Sequence, residues 1–96
     1  MAEVQTTRTD AAEVGEVFVR FLLMQQQQAL LALGRHPNPP PGVAPANLGL
    51  ARVFIEQLAM IKIKMQGNLQ PAEERLLGAT LASLQAAYVE VSRTES

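Results

Sequence analysis

The chain has one histidine, His36, held between Arg35 and Pro37. An imidazole does metal or acid–base chemistry in company: a metal site takes three or four ligands, and a catalytic base needs an orienting partner. The chain has no cysteine, and no acidic residue lies near His36 in sequence. His36 therefore reads as an exposed loop histidine, and no metal is expected. Glu73 and Glu74 are adjacent carboxylates. On a helix they point about 100° apart and do not converge on one substrate atom. They suit a helix start, where the dipole favours negative charge. Tyr88 could donate a proton, but its place on an apolar stripe makes it a packing residue with its hydroxyl at the rim. The sequence carries no glycine-rich phosphate loop and no G-x-S-x-G elbow. Nothing supplies a nucleophile–base pair, so the expectation is a non-enzymatic protein without a cofactor.

Charge excludes a second class. Eight basic and nine acidic residues give a net charge of −1. Arg52, Lys62, Lys64 and Arg75 are scattered, whereas tracking nucleic-acid phosphates takes a cluster of Lys and Arg. No nucleic-acid partner is expected. The lack of cysteine fits a reducing compartment, and the polar start MAEVQTTRTDAAE shows no secretory signal. A cytoplasmic location is the expectation. The stretch from Phe18 to Leu33 is hydrophobic, but Arg20 and Gln25 to Gln28 interrupt it. Burying Arg20 alone in lipid costs about 3 kcal/mol, so no membrane span is expected.

The periodicity predicts an all-α domain of three helices near 10–33, 47–66 and 71–92, between a disordered tail at 1–9 and a short tail at 93–96. The first has Asp10 and Glu13 in capping-box spacing. Val14, Phe18, Phe21, Leu22, Ala29 and Ala32 form its apolar face, and Gly34 ends it. Gln25 and Gln28 fall on that stripe. They read either as a solvated patch or as a buried amide pair that fixes register. The second helix starts at the N-cap Asn47 and ends before Gly67. The third has Pro71 at its first position and carries Leu77, Leu81, Leu84, Tyr88 and Val91 on one stripe. Only Gly67 to Gln70 join helices two and three, which forces an antiparallel hairpin.

The connection at 34–46 is long for a helical domain. Five of its residues are proline. A stiff, extended segment of that length reaches on the order of 40 Å at about 3.1 Å per residue. That leaves the direction of helix one open, and leaves open whether it packs in its own chain or on a neighbour. A polyproline ligand for an aromatic groove is the alternative use.

Helix two is the element that demands most. Leu50, Phe54, Leu58, Ile61 and Met65 make one face, widened by Val53 and Met60. Leu48, Ile55 and Ala59 make another. A helix this apolar is buried on more than one side, and over roughly 28 Å two neighbours cover only part of it. The expectation is a homo-oligomer, a dimer first, with an interface drawn from Leu48, Val53, Phe54, Ile55, Leu58, Ala59 and Met60. The alternative is a subunit or regulator that docks the same surface on another protein. A third reading, a small-ligand binder or enzyme, places Gln25, Gln28 and Tyr88 around a pocket between helices.

Several short patterns occur in order: F-x-x-F-L at Phe18 to Leu22, Q-A-L-x-x-L-G at Gln28 to Gly34, and P-N-P at Pro37 to Pro39. After them come N-L-x-L-A at Asn47 to Ala51, G-N-L at Gly67 to Leu69, E-E-R-L-L at Glu73 to Leu77 and Y-V-E at Tyr88 to Glu90. The set resembles a family of short bacterial proteins known only as domain of unknown function 1844, over roughly Val17 to Glu90. The resemblance implies a small, cytosolic helical protein and brings no catalytic residue or cofactor with it.

Overall fold

A computed structural model describes residues 11–39, 41–42 and 46–95. The tail at 1–9, the cap at Asp10 and the side chain of Val14 lie outside what it describes. Three helices follow in order: α1 over Ala11–Leu33, α2 over Leu48–Lys64 and α3 over Pro71–Glu95.

α1 ends as its glycine requires. Gly34 is left-handed at φ 73°. The Arg35 N–H donates to Leu30 O at 2.8 Å and the Gly34 N–H to Leu31 O at 3.0 Å. This crossed pair satisfies two carbonyls that the helix end would otherwise leave open.

The long connection does not use its reach. The Asn47 N–H donates to Ala32 O at 2.7 Å, so the loop returns to the helix end it left. The extended spacer expected from its prolines is therefore corrected to a closed loop. Polyproline stiffness holds only while the run continues, and here two turns interrupt it. The Asn38 N–H donates to His36 Nδ1 at 3.0 Å, and Gly42 is left-handed at φ 79°. Arg35 also pairs with Glu90 of α3 at 2.8 Å, beside the loop.

α2 begins at Asn47, whose side-chain oxygen accepts from the Leu50 N–H at 3.0 Å. It stops at Lys64, two residues before the expected end. Met65 caps it, and Gly67 turns the chain at φ 85°. α3 starts at Pro71. Gln70 offers no short side-chain acceptor there, and Glu73 Oε1 instead accepts from the Gln70 N–H at 2.8 Å, which is half of a capping box. α3 runs three residues beyond the expected end, and what read as tail at 93–95 is helix. Ser92 and Thr94 donate back to Val89 O and Val91 O in that last stretch.

The closed loop and the short joint make an up-down-up bundle. α2 is antiparallel to both neighbours, and α1 and α3 run the same way. The direction of α1, open from the sequence, follows from the Asn47–Ala32 bond. Leu22 and Ala29 of α1, Ile55 and Leu58 of α2, and Leu77, Leu81 and Leu84 of α3 form the main core. Ala32, Leu33, Ala51 and Val91 form a smaller cluster at the loop end. Ala29 and Ala51 are wholly buried, small residues that let helices approach closely. Each fully buried leucine contributes about 1.5–3 kcal/mol. Among the described residues no helix is long and apolar enough to cross a membrane.

Candidate functional site

The bundle covers some rows of α2 and leaves others open. Ile55 is 8% exposed and Leu58 is 0% exposed, both inside the chain's own core. Leu48 packs against the loop-end cluster, and Phe54 and Ala59 are half-buried against the main core. The expectation that Ile55 and Leu58 lie at a subunit interface is therefore corrected. Ile55 and Leu58 belong to the core that all three helices build, and Leu48 packs where α1 and α3 meet at the loop end. What remains open is a different edge: Leu50, Val53 and Met60, each 46% exposed.

α1 carries a matching stripe. A Cβ on Gly15 would sit 3.1 Å from Glu73 Oε2, so α3 lies on the Gly15 flank of α1. At 100° per residue, Val17, Phe21, Met24, Gln28 and Leu31 fall on the other flank, toward α2. Val17 is 60% exposed and Met24 is 66% exposed, while Phe21 and Leu31 are half-buried. On α2, the groove shared with α3 is lined by Arg52, Ile55 and Glu56. Val53 and Met60 point away from the core, about 140° and 160° from Leu58 around the helix. Val17 and Met24 of α1 and Leu50, Val53 and Met60 of α2 are the exposed members of these rows, and Lys64 continues the α2 row one step past Met60. The Asn47–Ala32 bond sets the register, with Leu31 beside Leu50 and Val17 near the end of α2.

The stripe on α1 is absent from the sequence-based list, although its signal is there. The steps from Val17 to Leu31 run four, three, four, three, the spacing of a helix seam. Gln28 sits inside that seam and conceals it.

Of the two readings of the glutamines, the buried pair does not hold. Gln28 is exposed and Gln25 half-buried, because three helical steps leave them about 60° apart. Gln25 is nevertheless unusual: its Oε1 is buried without a hydrogen-bond partner. Nor do the glutamines meet Tyr88. The groove at Tyr88, about 300 Å³, is lined by Arg52, Ile55, Glu56, Gln85 and Val89. Arg52 there is engaged with Glu56 at 3.0 Å.

The remaining polar residues have structural occupations. Glu73 caps α3. Glu74 is exposed beside it, and His36 accepts within its own loop. Among the described residues no group of three His, Cys, Asp or Glu side chains could hold a metal ion. Leu23, Ile63, Leu76 and Val89 are exposed as well, Ile63 one turn beyond Met60, and scattered apolar residues are ordinary on a protein surface.

The fold is a small all-α bundle with Leu50, Val53 and Met60 of α2 about half exposed. The chain belongs to the family described as Domain of unknown function (DUF1844), whose pattern it matches over residues 16–90. No curated protein and no solved structure matches it.

Proposed function

We propose that this chain is a non-enzymatic, self-associating interaction protein of the cytoplasm, working as a homodimer. One observation carries the reading. α2 keeps Leu50, Val53 and Met60 about half exposed after both neighbouring helices have covered its other rows. A contiguous apolar surface of this kind is what an association site offers. A chain of this size also gains stability from association, since a small domain buries a limited share of its surface alone.

Met24 and Met60 favour a second reading, a regulator or subunit that docks the face on another protein. Methionine side chains adapt to differently shaped partners.

Light scattering over a hundredfold dilution, with helicity followed alongside, tests the proposal. A mass near twice 10.4 kDa supports it. A helical monomer throughout the range refutes self-association and leaves the docking reading.

A further inference from the structure

We propose that His36 is an acid-sensitive latch on the Pro-rich loop. Its neutral ring holds the bend at 36–38, and protonation of Nδ1 releases that bend while the helices stay packed. The latch lies within one chain and works alike in a monomer or an oligomer.

Four of the five residues from Pro37 to Pro41 are proline and have no backbone N–H. Asn38 carries the one backbone donor of that run, and it donates to His36 Nδ1 at 3.0 Å. His36 and Asn38 each precede a proline, a position that favours extended backbone. A single bond therefore holds the bend against local preference, and no other N–H in the run can take its place.

An accepting Nδ1 puts the ring proton of the neutral imidazole on Nε2. In the imidazolium both nitrogens are donors. The Nδ1–H then faces the Asn38 N–H, two donors with no acceptor between them, and the bond is lost. An imidazole changes charge between about pH 5 and 8, a range in which ordinary side chains of other types keep theirs.

The charged surroundings leave the ring no carboxylate of its own. No charged residue lies in α1 after Arg20 or in α2 before Arg52, and Arg52 is engaged with Glu56. Arg35 precedes His36 in the chain, and α3 brings Glu90 and Arg93 to this end of the bundle. Glu90 is taken by Arg35 at 2.8 Å. The other ties of the loop are that ion pair and the Asn47 N–H bond to Ala32 O at 2.7 Å, and neither contains an imidazole. Acid therefore frees the bend and leaves the ends of the loop anchored.

Water exchange at the Asn38 amide of the full ¹⁵N-labelled chain tests the latch, read by NMR at pH 8 and pH 5 as protection relative to His36→Ala at the same pH. His36→Ala keeps the prolines and lacks the acceptor. The wild type at pH 8 should be protected about two- to tenfold, the worth of one net hydrogen bond, and that protection should vanish at pH 5. His36→Asn sets an amide oxygen where Nδ1 stands, as in an Asx turn, and carries no proton to gain. Its protection should be the same at both pH values. The amides of Leu58 and Leu81, in the core, should stay protected throughout. A wild type no better protected than His36→Ala at pH 8, or equally protected at both pH values, overturns the proposal. A loss in His36→Asn that matches the wild type overturns it as well, because the imidazole would not be its cause. Loss of core protection together with that of Asn38 overturns the local release and assigns the acid response to the whole bundle.

Discussion

Replacing Gln25 by methionine should stabilise the chain, because the wild-type residue hides an amide oxygen that nothing satisfies. In the unfolded chain water bonds that oxygen. In the bundle it is lost from water without a partner, at a cost of about 1–3 kcal/mol. Methionine has nearly the same length and helix preference as glutamine and carries no group that needs a partner. Turning the amide over does not help, since the NH₂ group would then occupy the same unpartnered position. Gln25 as a whole is only half-buried. The expected gain is therefore at the lower end of that range, near 1 kcal/mol, or a rise in Tm of about 4–8 °C for a domain of this size. Thermal and urea unfolding at one fixed protein concentration measure it, so that any association weighs equally on both chains. A loss of 1 kcal/mol or more would refute the reasoning, since it would mean that the oxygen accepts a bond in solution. Repeating the measurement at tenfold lower protein concentration would then show whether that bond comes from a second copy.

Two other substitutions separate the core from the face. Leu58→Ala, at a wholly buried position, should cost about 2–5 kcal/mol in urea unfolding, whereas Met60→Ala two positions on should change the stability of the monomeric bundle by less than about 0.5 kcal/mol. Asn47→Ala removes the acceptor for the Leu50 N–H and should cost about 1 kcal/mol. It should also raise amide exchange in the first turn of α2 before the rest of the helix.

The three helices were legible because their boundaries are written in single residues: Asn47 as a cap, Pro71 as a first position, Gly34 as a left-handed stop. The core of α3 was legible for a related reason. Leu77, Leu81, Leu84 and Val91 repeat at helical steps with mostly small or polar residues between them, and all four are buried. The closed loop was not legible. Proline content measures local stiffness, but the path of a segment is set by its turns and by what its ends bond to. Here the deciding bond joins Asn47 to Ala32, fifteen residues apart.

Which row of α2 stays open was not legible either, and the reason is general to a helix with apolar residues around most of its circumference. Periodicity gives the angular position of each row but no information on where the neighbours stand. Leu58 and Met60 both read as interface candidates, yet they lie about 160° apart on the helix. The sequence of α2 alone contains nothing that ranks one above the other. The neighbours rank them: the loop sets α1 antiparallel on one flank, the Gly67 joint sets α3 on the other, and Leu58 falls between them. Val53 and Met60 stay open because they lie on the side of α2 turned away from Leu58, which the two neighbours leave uncovered.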